Sequence, residues 1–511
     1  MENTNDTYGL PFKRKIEDAD VNPEFLGRLP LSFARKNLVF PLDKEDDVLC
    51  VAVSGHEAAY ALEDMARLYA CAVRPVIVPA DEIVGAIHRF YEKLTATPED
   101  VMAGISDESL ETIANEWETP KDLLHDSGEA PMIRLLNTLF FQAVKERASD
   151  IHIEPFERGV NVRFRRDGVL NLVLSPPKTI QDALTSRVKI MAGLDIAEKR
   201  LPQDGRIRLL AAGKDVDVRV SIVPTAFGER VVLRLLDRKG GAVTLKDLGL
   251  THEQTGMMEG FLRRTSGIVL VTGPTGSGKT TTLYAALNRI NSEERNIITI
   301  EDPIEYQLKG VGQIQVNAKI GLEFASGLRS ILRQDPDVVM VGEIRDPETA
   351  QMAIQASLTG HLVLSTLHTN DAPGAIARLV DMGVQSFLLS SSLSAVLAQR
   401  LVRTLCNNCK QAYGPSEAEV GMFKNNCPET LYRSVGCHEC FKTGYAGQTG
   451  IFEFMPIDDE LRQVFLKNVD SATIRAAALS KGMKSLKESG LEKAGSGVTS
   501  LEEVVRVTHE E

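Results

Sequence analysis

The sequence predicts a multidomain α/β protein, and three observations support this prediction. Strand and helix patterns alternate around the glycine-rich stretch GPTGSGKTTT, which begins at Gly273. Upstream, runs such as GVNVRFRR alternate between apolar and polar residues with the period of two that is typical of half-buried strands. Downstream, two C-x₂-C pairs indicate a small metal-binding insert. The length of 511 residues is enough for about three or four domains.

The composition favours ordinary packed domains, because 43% of the residues are hydrophobic and 25% are charged. The net charge of −12 is unfavourable for a surface devoted to nucleic acid, so no nucleic-acid partner is expected. The first twenty residues are polar and charged, unlike a secretory leader, and no run approaches the ~18 apolar residues of a membrane-spanning helix. We therefore expect a cytoplasmic protein without a membrane span.

Residues 1–95 are predicted to form a small α+β domain. The stretches NLVFPL, DVLCVAVS and VRPVIVPA are typical of short strands, whereas EAAYALEDMARLYA and DEIVGAIHRFYEKL have helical spacing. Residues 96–130 are acidic and poor in apolar residues, which predicts a flexible linker. Trp117, the only tryptophan, lies in this linker, and both docking onto another domain and loose packing remain open for it.

Residues 131–240 are predicted to form a second α+β domain. It begins with the amphipathic helix MIRLLNTLFFQAVKERA and continues with alternating strands in GVNVRFRRDGVL, DVDVRVSIVPT and GERVVLRLLD. In DVDVRVSIVPT the valines point to one face, whereas Arg219 and its polar neighbours point to the other. A sheet with one apolar and one polar face follows from this pattern.

The stretch around Gly273 predicts a nucleotide site within an α/β core at 241–405. The apolar strand Ile268–Val271, a glycine-rich loop and a helix match G-x-x-x-x-G-K-[ST] in the setting that a P-loop requires. Glycines let backbone N–H groups point at phosphate oxygens, and the helix N-terminus adds positive potential. The expected nucleotide-binding residues are Gly273, Pro274, Thr275, Gly276, Ser277, Gly278, Lys279 and Thr280. Lys279 is expected to reach the phosphates of ATP, and Thr280 to hold Mg²⁺.

Acidic residues follow two further predicted strands. Glu343 lies just beyond the strand Val338–Val341 and is the expected second ligand of Mg²⁺, since ligands bind at the carboxyl edge of open α/β sheets. In NIITIEDPIEY the strand is followed by three acids, one of which is expected to orient the attacking water: Glu301, Asp302 and Glu305.

Two histidines flank the predicted strand Leu362–Leu367. His361 precedes this strand and His368 follows it. We hypothesise that the pair senses the γ-phosphate or bridges to the acids.

The cysteine pairs lie at 406–441. CNNC and CHEC supply four thiolates, which suit a tetrahedral zinc ion, so the expected ligands of Zn²⁺ are Cys406, Cys409, Cys437 and Cys440. Four protein ligands leave no open coordination position, so the predicted role is structural. Residues 442–511 are expected to be mostly helical.

These motifs together resemble the secretion ATPases of the type II and type IV pilus class. GPTGSGKTTTLY resembles the family's Walker A box, ITIEDPIEY its Asp box, LRSILRQDPDVVMVGEIRDPETA its Walker B region and TGHLVLSTLHTNDA its His box. Upstream, ASDIHIEP, RLPQDGRI and FGERVVLRLLD resemble the family's second N-terminal domain. The resemblance extends from about residue 130 to about residue 500.

The resemblance implies a homo-hexameric ring of RecA-like ATPase domains, each preceded by a PAS-like domain. It implies that Glu305 is the general base and that Glu343 is the Walker B glutamate. The family's arginines that reach the γ-phosphate match Arg219, Arg234, Arg329 and Arg333. A guanidinium stabilises the negative charge that spreads during phosphoryl transfer, which is consistent with such a role.

The resemblance also implies a purpose. Members dock through the first N-terminal domain on the cytoplasmic side of an inner-membrane secretion platform protein, where ATP hydrolysis drives pseudopilus assembly and protein export. The Cys₄ insert resembles that of assembly and secretion ATPases rather than the pilus-retraction type, and the short N-terminal domain with LPLSFARKNLVFPL is similar to that of the type II secretion branch. Three alternatives stay open: a type IV pilus-assembly ATPase, a RecA-like nucleic-acid motor, and a nucleotide-binding scaffold without turnover.

Overall fold

A computed structural model shows two compact units, Met1–Lys239 and Gly240–Glu511. The predicted linker at 96–130, including Trp117, lies outside the residues that the structure describes. The described residues are 10–17, 20–22, 25, 29, 33–34, 37–45, 48–55, 59–91, 131–211, 214–237, 243–423 and 427–508.

The first unit begins with a three-stranded sheet flanked by two helices. Its strands are β1 (Val39–Glu45), β2 (Val48–Val53) and β3 (Val73–Ile77), and its helices are α1 (Ala59–Tyr69) and α2 (Ala80–Tyr91). Strand β2 is central, antiparallel to β1 and parallel to β3. Apolar side chains from β1 and β2 pack against Met65 of α1 and Ile83 of α2 to form one core.

The second part of this unit is a six-stranded antiparallel sheet in the order β6-β5-β4-β9-β8-β7. Its strands are β4 (Asp150–Pro155), β5 (Val160–Arg166), β6 (Val169–Leu174), β7 (Gln203–Ala211), β8 (Lys214–Thr225) and β9 (Gly228–Asp237). The helices α3 (Pro131–Lys145) and α4 (Gln181–Ala192) supply Leu139 and Val188 to a core with the apolar face of the sheet. The opposite face carries the polar residues that the period of two predicts.

The second unit contains a seven-stranded sheet in the order β12-β11-β13-β14-β10-β15-β18. Six neighbouring strands are parallel, and β18 pairs antiparallel with β15 at one edge. The strands are β10 (Gly267–Thr272), β11 (Ile297–Glu301), β12 (Gly312–Gln315), β13 (Val338–Val341), β14 (Leu362–Leu367), β15 (Leu393–Leu405) and β18 (Tyr445–Pro456). The carboxyl ends of the parallel strands therefore meet at one edge, as predicted for the site.

Helices cover both faces of this sheet. One face packs on α5 (His252–Leu262) and α6 (Lys279–Ile290). The other packs on α7 (Phe324–Ile331), α8 (Pro347–Leu358), α9 (Ala372–Asp381) and α10 (Ser386–Ser392). In β10, Val269 and Val271 contribute to the first core, and Ile268 and Leu270 to the second, which explains why this strand is apolar throughout.

The cysteine-containing insert lies between β15 and β18. It holds a small antiparallel sheet of β16 (Gln411–Tyr413) and β17 (Leu431–Arg433) and the short helix α11 (Glu417–Met422). The helices after β18 are α12 (Asp459–Lys467), α13 (Ser471–Ser480), α14 (Leu486–Gly495) and α15 (Leu501–Thr508). The region 442–511, expected to be mostly helical, thus also supplies a twelve-residue strand to the seven-stranded sheet.

None of the helices in the described ranges combines the length and the hydropathy that crossing a bilayer requires.

Candidate nucleotide and metal sites

The P-loop follows β10 and has the backbone geometry that its glycines predict. Gly273, Gly276 and Gly278 have φ angles of 149°, 80° and 86°, a region that residues with a side chain rarely adopt. A Cβ at Gly273 would also lie 2.4 Å from the carbonyl oxygen of Gln399. The loop ends at Gly278, which is the N-cap of α6. Glycine is therefore required here by both conformation and space.

Lys279 lies at the start of α6 and is mostly buried. Its Nζ donates hydrogen bonds to the carbonyl oxygens of Gly273 at 2.8 Å and Pro274 at 3.0 Å. Burial lowers the pKa of Lys279 to about 8, although the carboxylate of Glu343 opposes this shift. Because burial disfavours the charged amine, a phosphate group at the loop would restore its full charge.

Glu343 lies just beyond β13 and is buried. In the sheet, β14 separates β13 from the P-loop strand β10. Its Oε2 is 3.2 Å from Nε2 of His368, and its other carboxylate oxygen pairs with Arg345. This hydrogen bond raises the pKa of Arg345. The structure thus brings Glu343 and His368 together at the edge that carries Lys279.

Hydroxyl groups hold the ends of these strands in register. The hydroxyl of Thr272, the last residue of β10, lies 2.7 Å from the hydroxyl of Thr369 and accepts a 2.9 Å bond from its N–H. Thr366 donates to the carbonyl of Gly342 at 2.7 Å. The His368 loop is therefore fixed to both the P-loop strand and the strand that precedes Glu343.

A glutamine supports the P-loop from β15. The side-chain amide of Gln399 donates to the carbonyl of Ser277 at 2.7 Å, and its carbonyl accepts from the hydroxyl of Thr282 at 2.6 Å. Gln399 cannot be recognised from the sequence, because more than a hundred residues separate it from the loop and no local motif marks it.

The acids after β11 have different environments. Glu301 is only 2% exposed, and Thr299 and Gln313 donate to its Oε1 at 2.6 Å and 3.0 Å. Tyr284 donates to its Oε2. By contrast, Asp302 is exposed and Glu305 is half-buried. Glu301 is therefore a structural carboxylate, which leaves Glu305 and Asp302 as the acids that can face a water molecule.

His361 lies away from this edge. It precedes β14, whereas His368 follows it, so the six residues of the strand, about 20 Å, separate the two side chains. Its Nδ1 lies 2.9 Å from the carbonyl of Ala356 and 3.1 Å from the hydroxyl of Thr359. Within the chain, the structure brings His368, and not His361, to the acids.

Arg219 and Arg234 lie opposite each other on the polar face of the six-stranded sheet. Arg206 of β7 pairs in register with Arg219 of β8, and Arg219 pairs with Arg234 of β9. Nε of Arg234 is 3.0 Å from the carboxylate of Asp150, which lies 3.7 Å from Arg165. The sheet therefore carries a row of basic side chains that includes Arg206, which the sequence analysis did not single out.

Arg329 lies on the exposed side of α7, and the exposed Arg333 follows two residues after the end of that helix. Arg329 pairs with Glu348 at 2.6 Å, and Arg333 donates to the carbonyl of Arg329 at 2.9 Å. Their bonding partners are thus residues of α7 and α8 rather than of the P-loop.

The four paired cysteines converge. Their sulfur atoms all lie within 4.8 Å of one another. Three separations are 3.9 Å for Cys406 to Cys437, 3.7 Å for Cys409 to Cys440 and 3.7 Å for Cys437 to Cys440. A tetrahedron with Zn–S bonds of about 2.3 Å has edges of about 3.8 Å, so the donor set fits zinc. Cys427 lies outside this cluster.

The thiols differ in acidity. Burial raises the pKa of Cys409 to about 12. At Cys440 burial has the same direction, but hydrogen bonds from the N–H groups of Cys437 and Gly444 outweigh it and lower the pKa to about 7. These N–H donors are 3.1 Å and 3.2 Å from the sulfur, an arrangement that favours a thiolate.

Comparison with known protein families agrees with this architecture. A family model described as "Type II/IV secretion system protein" matches residues 125–506. The chain belongs to that family. A second model, the MshEN domain, matches residues 8–97. Family membership confirms the predicted α/β fold and the prediction of an ATP-hydrolysing enzyme.

Members of the family are similar to this chain over nearly its whole length. The type II secretion system protein E of Klebsiella pneumoniae is 50% identical and the alignment covers 94% of this chain and 97% of that protein. The type IV pilus assembly ATPase PilB of Myxococcus xanthus is 43% identical, with 98% and 89% covered. The Legionella pneumophila ATPase DotB is 20% identical, with a TM-score of 0.56 over 77% of this chain and 98% of that one, which shows a shared fold.

Proposed function

We propose that the chain is the ATPase that drives protein export by a type II secretion system. The observation that carries this proposal is the 50% identity to type II secretion system protein E over 94% of the chain. The intact P-loop, with Glu343 and His368 beside it, supports turnover rather than passive nucleotide binding.

Hydrolysis would use residues of the carboxyl edge. Lys279 would contact the phosphates of ATP, and Thr280 and Glu343 would hold Mg²⁺. When bound, Mg²⁺ neutralises charge that develops on the phosphate oxygens. Glu305 would accept a proton from the attacking water, since it is a half-buried carboxylate of the Asp box, whereas Glu301 is buried and accepts hydrogen bonds from Tyr284 and Gln313.

The arginines would act between neighbouring subunits of a homo-hexamer. Arg219 and Arg234 lie on an exposed or half-buried polar face and form a concentrated positive charge. Such a row is suited to an anionic group supplied by another chain, for example the γ-phosphate. Arg329 of α7 and Arg333, just beyond the end of that helix, would join them from the subunit that binds the nucleotide.

Zn²⁺ would stabilise the insert between β15 and β18. The four thiolates of the cysteine cluster match the distances of a closed tetrahedral site. Because β15 also carries Gln399, this insert would help to fix the strand that supports the P-loop.

The N-terminal domain would attach the motor to its machine. Residues 1–95, which the MshEN model matches in large part, would bind an inner-membrane secretion platform protein on its cytoplasmic side. The chain would then be cytoplasmic and peripheral to the inner membrane, and ATP hydrolysis would drive pseudopilus assembly.

A complementation experiment tests the proposal. The chain is expressed in a bacterium that lacks its own type II secretion ATPase, together with the platform proteins of its native system. We expect restored export of a secreted enzyme, and loss of that export with Lys279→Ala. Export that is unaffected by Lys279→Ala, or absent with the native chain while ATP hydrolysis is normal, would contradict it.

A type IV pilus-assembly ATPase is the second candidate function. The 43% identity to PilB over 98% of the chain favours it. The same experiment in a pilus-assembly mutant distinguishes the two, because surface pili without restored export would assign the chain to pilus assembly.

A further inference from the structure

Tyr284 forms a buried polar centre between the P-loop helix and the Asp box. It lies on α6, is 0% exposed, and donates its hydroxyl hydrogen to Oε2 of Glu301. Five residues separate it from Lys279, which places it about 7.5 Å along the same helix. Because an α-helix is stiff over this distance, a movement of Lys279 along the helix axis would also move Tyr284.

The hydroxyl of Tyr284 also contacts the loop that carries Glu305. Its oxygen lies 3.4 Å from the backbone N–H of Glu305 and 3.4 Å from the side-chain amide of Gln313. The same amide donates to the carbonyl of Tyr306 at 3.2 Å, and its oxygen accepts from the N–H of Leu308 at 2.7 Å. Three backbone groups of the loop thus bond to two side chains, the buried Tyr284 and the half-buried Gln313.

Ring packing adds to this attachment. The rings of Tyr284 and Tyr306 meet edge to face, with centroids 4.6 Å apart. Burial, followed by the hydrogen bond to Glu301, raises the pKa of Tyr284 well above its usual range, so the hydroxyl remains a donor at physiological pH. The hydroxyl of Tyr284 therefore connects α6 with both Glu301 and the backbone of the Glu305 loop.

We infer that Tyr284 is a positioning residue for ATP hydrolysis, which holds the Glu305 loop at a fixed distance from the P-loop helix. This inference rests on the proposed role of Glu305 as general base. Misplacement of a reacting group by about 1 Å costs orders of magnitude in rate, so a support of this kind acts on turnover more than on nucleotide binding.

The first test is Tyr284→Phe, which removes the hydroxyl and keeps the ring. With Mg-ATP we expect kcat to fall about tenfold or more, while KM and the affinity for a fluorescent ADP analogue change less than twofold. Tyr445→Phe is the matched control, because its hydroxyl is also buried and hydrogen-bonded, to Ser500 at 2.7 Å. An unchanged kcat for Tyr284→Phe would overturn the inference.

The second test separates positioning from a general loss of stability. In the Glu305→Gln background, Tyr284→Phe should lower kcat by less than twofold, since the group that it positions has been removed. An equal loss in both backgrounds would overturn the inference. If Glu305→Gln keeps the native kcat, both this inference and the base assignment are wrong. The proposed function is tested separately, because the complementation assay measures export with the native chain, in which Tyr284 and Glu305 are unchanged.

Discussion

The carboxylates at the nucleotide edge differ in what surrounds each one. Glu301 accepts hydrogen bonds from the buried Tyr284 and Thr299 and the half-buried Gln313, whereas Glu343 faces His368 and Arg345 beside the P-loop. Recruiting a buried carboxylate whose oxygens already accept hydrogen bonds would leave its donors unpaired, which costs free energy. The structure therefore separates a supporting acid from acids that can act on ATP.

Glu343→Gln should abolish turnover but keep nucleotide binding. We expect the rate of ATP hydrolysis to fall at least about 100-fold, because the amide replaces the charge that helps to hold Mg²⁺, with ATP affinity changed by less than tenfold. Phosphate release and equilibrium binding measure the two effects. Glu259→Gln is the control, because Glu259 is a half-buried acid on α5 that pairs with Arg289. A variant that hydrolyses ATP at the parent rate would instead favour a scaffold whose Glu343 has no catalytic role.

Lys279 should take up a proton when nucleotide binds at alkaline pH. Its pKa is lowered to about 8, so above that pH the amine is mostly neutral, and phosphate charge favours the protonated form. ATP affinity should therefore fall as pH rises above about 8. At pH 8.5, calorimetry in buffers of different ionisation enthalpy should detect roughly three quarters of a proton taken up per site.

Lys279→Arg is the control for this titration, since a guanidinium stays charged throughout the range. At every pH at which this variant binds nucleotide, residue 279 should take up no proton. Equal binding heats in all buffers for the native chain would contradict the lowered pKa.

At the scale of single elements, register decides which charges meet. Alternation in DVDVRVSIVPT predicts that Arg219 faces away from the core, but the pairing with Arg206 and Arg234 depends on how three strands align. Like charges directly opposite each other are destabilising, so a row of this kind lowers the stability of the sheet unless negative charges lie beside it. The carboxylate of Asp150 already offsets part of this charge at Arg234, and an anion from a neighbouring subunit would offset more of it.

Arg219→Ala should therefore slow ATP hydrolysis without unfolding the sheet. We expect a loss of about 100-fold or more in kcat, as for other arginines that act on a transferring phosphate. The apolar face that packs on α3 and α4 is untouched, so the melting temperature should change by no more than a few degrees. Arg208→Ala, one row away on the same face, is the control. Unchanged kinetics would remove Arg219 from the site.

The cysteine cluster gives a prediction about the insert. Metal analysis should find about one zinc ion per chain, and Cys406→Ser should lose it and destabilise the C-terminal unit by several degrees in melting temperature. Cys427→Ser is the matched control, because Cys427 lies in the same insert but outside the cluster. Pure native protein without zinc would contradict the assignment.

For the whole molecule, local patterns predicted the elements better than the contacts between them. The P-loop, the strand before Glu343 and the four cysteines lie in short motifs whose geometry is set by neighbouring residues. By contrast, Gln399, Tyr284 and the pairing of β18 with β15 depend on contacts between distant segments. A single sequence does not report such contacts. For the same reason it predicts a shared role for His361 and His368, although only His368 lies near Glu343.

The central claim at this scale is that one chain's P-loop is completed by a neighbour's arginines. Every chain contains both the P-loop and the arginine row, but the arginine row belongs to the first unit and the P-loop to the second. A ring of identical subunits repeats one head-to-tail interface, so each interface would contain one P-loop and one arginine row.

Mixing two inactive variants tests this claim most directly. Lys279→Ala chains lack a working P-loop but keep Arg219, and Arg219→Ala chains have the opposite defect. Each variant alone should be nearly inactive, whereas randomly mixed rings should recover activity at about a quarter of their interfaces. If the equimolar mixture is only as active as the average of the two separate variants, a site shared between subunits is contradicted.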